Sequence, residues 1–120
     1  MSNRIPSGSY QLTSKEIVAH LYCEAQKRDE SWIPAGYSMP HKGDLNIANI
    51  DGHLINEPGD APTDSYVPGG CYLLTTKSRT VILSALCQKI DQSWQWSGLN
   101  ITNLNLNATI SNIDGVLTVD

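Results

Sequence analysis

Phenylalanine is absent from this 120-residue sequence, and only eight residues are lysine or arginine. The basic residues form no cluster and the formal net charge is −4, so we predict no nucleic-acid partner, because phosphates require a basic face. No run of about 18 apolar residues occurs, which predicts no membrane span. Residues 1–6 lack the apolar core of a secretory leader, so we predict a cytoplasmic protein, or one whose leader has been removed.

Cysteine and histidine number only three each, and their spacing matches no common metal-binding pattern. No H-x-x-H, C-x-x-C or H-E-x-x-H string occurs, so we predict no metal and no cofactor. No motif pairs a nucleophile with a base, although such groups can also meet only in space. We therefore predict that the protein is not an enzyme.

One short phrase occurs twice in the sequence. Asn-Ile-Asp-Gly stands at residues 49–52 and again at 112–115, 63 positions later. Asp-Gly between apolar residues favours a hairpin turn, because glycine reaches positive φ without steric cost and aspartate tolerates it. Repetition at about half the chain length indicates an internal duplication.

Further blocks recur at nearly the same interval. Residues 8–15 match residues 70–77, with five of eight positions identical, and Trp32 matches Trp94. The equivalent positions of these two tryptophans favour core packing. One half alone would be marginally stable, so we predict a single domain, 1–120, with a shared core. Its predicted parts are repeat 1 at about 1–57, a Pro/Gly-rich linker at about 57–70, and repeat 2 at about 70–120.

Alternating apolar residues predict β-strands in both halves. The stretch 17–23 matches 81–87 at an interval of 64, which predicts that Ser78 and Arg79 form a two-residue turn insertion. The elements predicted for the first half are strands at 8–15, 16–25 and 31–33, with a break at Pro34 and Gly36, a charged turn at 27–30 and a helical turn at 44–50.

The repeat resembles the cyanovirin-N homology family of lectins, in particular a fungal-type member. In that pattern each repeat opens with a Cys-containing strand, continues to a second Cys, and closes with Ile-x-Asn-x-Asp-Gly-x-Leu, best matched at 104–115. The resemblance covers nearly the whole chain. It implies an all-β, pseudo-symmetric fold of two strand-exchanged lobes, each with a triple-stranded sheet, a β-hairpin and short helical turns. The implied lobes are lobe A, about 1–45 plus 109–120, and lobe B, about 46–108.

The cysteines depart from this family pattern. Cys71 and Cys87 take both Cys positions of the second repeat, so the resemblance implies a disulfide there if the compartment is oxidising. Ser9 stands where the first repeat would have its opening Cys. Cys23 is therefore left alone, and we predict that it is a small buried residue on a strand. The linker is either a loop or the place where an inserted module is missing.

The resemblance implies binding of high-mannose oligosaccharides and glycoproteins through hydrogen bonds from turns and strand ends. The main carbohydrate site implied for this sequence comprises Asn3, Arg4, Ser7, Gly8, Glu24, Gln26, Asn112, Ile113 and Asp114. A weaker second site comprises Asn49, Ile50, Asp51, Ser65, Tyr66, Gly69, Gly70, Gln88, Lys89 and Gln92. The expected state is a monomer, with a domain-swapped dimer through the linker as the alternative.

Two other interpretations compete with the mannose lectin. Asn and Asp in a turn commonly bond their own backbone, so the repeated phrase could serve packing alone. The chain would then be a non-catalytic structural or protein-interaction module. A lectin for chitin or another cell-wall glycan is the second alternative, because the turn residues do not define the sugar.

Overall fold

The computed structural model of the protein describes residues 5–39, 45–59, 61 and 65–120. These residues form mostly β-strands, so the predicted all-β class is confirmed. Two short 3-10 helices, Ser9–Leu12 and Cys71–Leu74, precede the two longest strands. Within the described ranges, no helix has the length and apolarity needed to cross a membrane. The strands are β1 (Ser14–Gln26), β2 (Trp32–Met39), β3 (Ile47–Ile50), β4 (His53–Asn56), β5 (Thr76–Gln88), β6 (Trp94–Asn100), β7 (Ile110–Ile113) and β8 (Val116–Val119).

A four-stranded antiparallel sheet with the order β2-β1-β5-β6 dominates the molecule. Its two central strands, β1 and β5, are 13 residues long each and pair around Leu21 and Val81. The hairpins β3–β4 and β7–β8 form two separate two-stranded sheets. The described strands therefore differ from the triple-stranded sheet per lobe that the resemblance implied, because the long strands of the two repeats pair with each other.

The predicted alternation along β1 is confirmed, because one face of the sheet supplies the core. Ala19, Leu21 and Ala25 are fully buried, as are the residues at the same period on β5. Two tyrosines complete this core, and each donates its hydroxyl to a proline carbonyl: Tyr10 to Pro6 and Tyr72 to Pro68. Burial raises the pKa of Tyr10 to about 12. It also raises the pKa of Tyr72.

Two predicted local structures were wrong. Residues 8–15 were predicted as a strand, but Ser9–Leu12 is a 3-10 helix in which Tyr10 is buried and Leu12 is 87% exposed. Residues 44–50 were predicted as a helical turn, but Ile47–Ile50 is strand β3. In both places one fully buried side chain, Tyr10 or Ile47, fixes the local conformation more strongly than the sequence period does.

The predicted break in the next strand was also wrong, since β2 continues through Pro34 and Gly36 to Met39. Among the described strands, β2 lies at the edge of the sheet, and β1 is its only ladder partner. An edge strand tolerates proline because one of its sides needs no ladder hydrogen bonds. The predicted charged turn after β1 is confirmed. In this turn the backbone N–H of Glu30 donates to the carbonyl of Lys27 at 2.9 Å.

The predicted two-residue insertion at Ser78 and Arg79 was wrong, because both residues lie inside β5. Ser78 has a φ of 56° at a β-bulge, and Glu16 has a φ of 54° at the bulge in β1, 62 positions earlier. The two long strands therefore match at a constant interval of 62. In this register Cys87 is equivalent to Ala25, and Cys23 is equivalent to Ala85.

The three cysteines are free thiols, so the structure does not contain the implied Cys71–Cys87 disulfide. Cys71 is exposed on the second 3-10 helix. Cys87 is buried at the far end of β5, where its sulfur lies 3.4 Å from the hydroxyl of Ser14. Cys23 is buried on β1, as predicted, and burial raises the pKa of its thiol.

Each hairpin rests on an edge strand and on one 3-10 helix. Hairpin β3–β4 contacts β2 and the helix Cys71–Leu74, while β7–β8 contacts β6 and the helix Ser9–Leu12. The N–H of Ile47 donates to Gly69, and that of Ile110 donates to Ser7, both at 3.0 Å. The contacts with the 3-10 helices lie within the predicted lobes, about 1–45 plus 109–120 and about 46–108, and those with β2 and β6 lie between them, so the lobes stay a prediction. The repeat boundaries stay a prediction.

Gly70 tests how tightly the second 3-10 helix packs on β3. Its φ of 134° and ψ of 172° are accessible to glycine alone, and a Cβ there would lie 2.2 Å from the carbonyl oxygen of Ile47. Gly59 also has a positive φ, of 108°, but a Cβ there would approach only Asn46, at 3.5 Å. We expect Gly70→Ala to cost about 1–3 kcal/mol more than Gly59→Ala, because only the first adds overpacking to backbone strain. Urea unfolding of both variants measures this, and equal costs would contradict the packing.

Candidate functional site

The first copy of the repeated phrase is tied to the strand ends by its asparagine. The Nδ2 of Asn49 donates to the carbonyl of Gln26 at 2.9 Å and to the Oγ1 of Thr75 at 3.0 Å. Its Oδ1 accepts the N–H of Gly52 at 2.8 Å. One side chain thus joins the hairpin turn to the end of β1 and to the residue before β5.

The second copy repeats these contacts. The Nδ2 of Asn112 donates to the carbonyl of Gln88 at 2.8 Å and to the Oγ1 of Thr13 at 3.0 Å, while its Oδ1 accepts from Gly115 at 2.8 Å. In both turns the amide therefore has structural partners at both of its atoms. The geometry gives asparagine the backbone-bonding role that the sequence left open.

The aspartates of the two turns hold the adjacent strand-end loops. Asp51 accepts the N–H of Arg28 at 2.9 Å, and Asp114 accepts the N–H of Ile90 at 3.0 Å, in each case with Oδ1. Their backbones are left-handed, with φ of 50° and 49°. In each, Oδ2 makes no hydrogen bond to the described part of the chain. Both aspartates are exposed, so this oxygen is available to an external donor.

The first turn and its strand-end loop enclose a cleft. This first cleft, with a volume of about 240 Å³, is lined by Gln26, Lys27, Arg28, Asn49, Ile50, Asp51 and Thr75. The same hydrogen bonds recur around Asn112 and Asp114, and we call the residues at the equivalent positions the second cleft. They are Thr13, Gln88, Lys89, Ile90, Asn112, Ile113 and Asp114.

The two clefts differ in charge. Lys27 and Arg28 both lie in the first cleft, whereas the second has Lys89 followed by Ile90, which is 86% exposed. The loops that carry these residues are stiffened alike, since Asp29 accepts from Ser31 and Asp91 accepts from Ser93 through both backbone N–H and hydroxyl. The hydroxyl hydrogen bonds, first among several causes, lower the pKa of both carboxyls.

The structure places the residues of the predicted main site in different parts of the molecule. Ser7 and Gly8 lie beside Thr109 and Ile110, at the start of β7. Gln26 lies in the first cleft, and Glu24, exposed, is 3.8 Å from the ammonium of Lys77. Neither is brought together with Asn112, Ile113 and Asp114. The predicted residues Asn3 and Arg4 lie outside the described residues.

The predicted second site is divided in the same way. Gly69 and Gly70 lie against Ile47, at the start of β3. Gln88 and Lys89 belong instead to the loop of the second cleft, with Gln92 at its turn. Tyr66 is buried and Ser65 lines a different groove. The exchange follows from the antiparallel pairing of β1 and β5, which puts the ends of these strands at opposite ends of the sheet.

Several cleft residues were missed from the sequence. Lys27 and Arg28 belonged to the predicted charged turn, so their exposure was foreseen but their approach to the hairpin was not. Thr13 and Thr75 are the same residue at equivalent positions of the matched blocks 8–15 and 70–77. This identity was the only sequence signal that could have pointed to them. Nothing in the local sequence indicates that their hydroxyls meet Asn112 and Asn49.

The predicted core packing of Trp32 and Trp94 was wrong, since these side chains are 40% and 43% exposed. Their side chains stand on the outer face of the sheet, where alternate residues point away from the core. The ammonium of Lys77 lies 4.2 Å from the ring centroid of Trp32, and that of Lys15 lies 4.2 Å from that of Trp94. Cation–π contacts therefore cover these rings.

Within the described ranges, no three His, Cys, Asp or Glu side chains converge as a metal site would require. Comparisons with protein-family models, with curated proteins and with solved structures found no match for the chain. The resemblance to the cyanovirin-N homology lectins therefore rests on the sequence pattern alone. The arrangement itself offers carboxylate oxygens, threonine hydroxyls and cationic side chains at two fixed places, which suits recognition of polar ligands.

Replacing Asn112 tests its role as a structural tie. We expect Asn112→Ala to lose about 2–4 kcal/mol of stability, because three hydrogen bonds disappear and their partners are partly buried. Asn112→Asp places a carboxylate against the Gln88 carbonyl, so its deficit should shrink at acid pH, where the protonated carboxyl can donate. Urea unfolding at neutral and acid pH measures both effects. Asn103→Ala, at an exposed side chain without a hydrogen bond to described residues, is the control, and an equal loss there would contradict the assignment.

Replacing Ser31 tests the hydrogen bond from its hydroxyl to Asp29, which helps to order the loop of the first cleft. We expect Ser31→Ala to raise the pKa of Asp29 toward its usual value, because the hydroxyl donor is lost. A depressed native pKa stabilises the fold above the ordinary carboxyl pKa, and this stabilisation is lost as pH falls through the native pKa. The variant should therefore be less stable at neutral pH and equal to the wild type in strong acid. Carboxyl NMR titration checks this, with Asp91 as the internal control that must not move.

Proposed function

We propose that the protein is a non-enzymatic lectin that binds mannose-type oligosaccharides in its two clefts. The observation that carries the proposal is the same in both: an aspartate held by a backbone N–H through Oδ1 presents its Oδ2 to solvent at a turn fixed by asparagine. Sugar hydroxyls are neutral donors and acceptors, and a fixed carboxylate oxygen is a strong acceptor for them. The resemblance of the sequence to cyanovirin-N homology lectins supports the same function.

Rigidity is what makes these turns suitable for sugars. A ligand that is held by a few hydrogen bonds binds weakly if the protein must be ordered first. Here Asn49 and Asp51 fix the first turn against β1 and its loop, and Asn112 and Asp114 fix the second. The recognition groups are therefore ordered before the sugar arrives.

Two clefts on one chain would allow crosslinking of glycans. Gln26 ends β1 in the first cleft and Thr13 precedes β1 in the second, so the clefts are about 40 Å apart by the rise of a strand. The longest dimension of the molecule is 52 Å. Because the sites lie at opposite ends, one sugar chain of two or three residues does not span both. Multivalent glycans or particles would gain avidity.

The first cleft is proposed as the tighter site. Its two cationic side chains, Lys27 and Arg28, can both donate hydrogen bonds to a sugar. The second cleft has one lysine and the apolar Ile90 at the equivalent positions. This reverses the ranking expected from the sequence, which relied on Glu24 beside the 112–114 turn and on an altered linker and Gln88 at the other site. Glu24 lies near the end of β1, whereas Asn112 bonds Thr13, just before the start of this strand.

Titration of labelled protein with mannose disaccharides of each linkage tests the proposal. We expect NMR shifts at 26–28, 49–51 and 75, and weaker shifts at 13, 88–90 and 112–114. Asp51→Asn should weaken binding in the first cleft by roughly tenfold or more, because it removes a charged acceptor but keeps the bond to Arg28. Asp29→Asn, in the same loop but outside the cleft, is the matched control. Silence with mannose and chitin-type sugars alike would overturn the lectin and favour the interaction module.

A further inference from the structure

A cavity larger than the first cleft lies elsewhere in the described part of the chain. It is an open groove with a volume of about 920 Å³ between the linker and the loop at 102–107. Ser65 and Pro68 line one wall, Asn103 and Asn107 line the other, and Arg79 of β5 lies in the groove. Neither hairpin turn contributes to it, so it would act separately from the proposed mannose sites.

Arg79 is held in this groove by the protein's own backbone. Its Nη1 donates to the carbonyl of Thr76 at 2.7 Å, to the Oγ1 of Thr76 at 3.0 Å and to the carbonyl of Leu73 at 3.4 Å. These acceptors are neutral, and no described carboxylate pairs with the guanidinium. The half-buried cation is thus positioned but not neutralised.

One edge of the guanidinium remains free for a ligand. All the hydrogen bonds of Arg79 to the described residues use Nη1, so Nε and Nη2 are left without a partner. No buried side-chain nitrogen or oxygen of the described residues lacks a hydrogen-bond partner, so neither Nε nor Nη2 is fully buried. Nε and Nη2 form the edge that donates two parallel hydrogen bonds to one carboxylate.

The charge at this place is specific to the second half of the chain. Arg79 follows the bulge residue Ser78, and the equivalent residue in β1, after Glu16, is Ile17. An apolar residue therefore satisfies the same bulge in the other half. The strand geometry therefore does not require an arginine at this position. We infer that the charge of Arg79 acts in the groove, which this residue lines.

The rest of the lining favours a saccharide over a peptide. Asn103 and Asn107 present exposed side chains that can donate and accept, which matches sugar hydroxyls. In the described part of the chain, β6 pairs with β5 only from Ile82 onward, so the stretch of β5 that carries Arg79 has a ladder partner, β1, on one side only. A peptide strand is therefore the competing ligand, and failure of both sugars in the test below would favour it.

We propose that this groove is a further carbohydrate site that takes an acidic saccharide, with its carboxylate on the Nε/Nη2 edge of Arg79. Asn103 and Asn107 would hold hydroxyls of the same or the next ring. The inference rests on the proposed lectin function only for the ligand class. The protein's net charge of −4 works against non-specific attraction of anions, so binding of an acidic sugar requires a specific contact.

The test compares a galacturonic acid trisaccharide with the neutral galactose trisaccharide, by calorimetry and NMR on the full chain. We expect the acidic sugar to bind, with shifts at 65–68, 79 and 103–107, and the neutral sugar to bind at least roughly tenfold more weakly. Arg79→Gln should reduce the acidic sugar to the neutral level. Arg79→Lys should bind in between, because it keeps the charge and loses the fork. Lys77→Gln, which removes an exposed cation two residues earlier on β5 and outside the groove, is the matched control and should leave this binding unchanged.

Two outcomes would overturn the proposal: acidic binding that survives in Arg79→Gln, or equal binding of the two trisaccharides. Should Arg79→Gln unfold, Asn103→Ala provides the second variant, and we expect it to weaken acidic binding while the unfolding midpoint stays at the wild-type value. The mannose titration is run on the same samples. If mannose fails and the acidic sugar binds in an Arg79-dependent way, the groove stands and the mannose proposal falls.

Discussion

The antiparallel pairing of β1 with β5 is the constraint on which the rest of the structure depends. These are the longest strands, and each alternates buried and outward residues so that Leu21 and Val81 meet in the core. The pairing puts the end of each strand beside the start of the other. Both loop-and-turn clefts form at these meeting points, because Gln26 comes next to Thr75 and Gln88 next to Thr13. A repeat by itself supplies only one side of each junction.

At each junction a single asparagine converts a flexible turn into a fixed one. Asn49 and Asn112 use donor and acceptor atoms for the backbone, so they contribute order and not recognition. The aspartate two residues later uses one oxygen for the loop and leaves the other outward. The two residues of the phrase thus differ in their bonding, because the backbone engages both amide atoms of the asparagine but only one oxygen of the aspartate.

The two halves have the same order of elements but differ in charge. The charge differences discussed here lie at exposed positions or in the groove. Arg28 has Ile90 as its counterpart, and Arg79 has Ile17. Buried positions keep their type, as Tyr10 and Tyr72 do. A core of fixed shape limits what can change inside, while solvent-facing positions tolerate a change of charge. The duplicated fold therefore offers three chemically distinct surfaces: two clefts and one groove.

The sequence by itself determined the local features: the all-β class, the alternation of β1, the charged turn after it and the two Asp-Gly hairpins. Each follows from side-chain period or turn chemistry within a few residues. It also foresaw that Cys23 is buried. It did not determine which loop meets which turn. Gln26 was expected with Asn112 and lies with Asn49, because strand register and long-range pairing depend on the whole core. The tertiary structure likewise decided the position of Arg79. This residue follows the bulge at Ser78, and the bulge forms only where β5 pairs with β1.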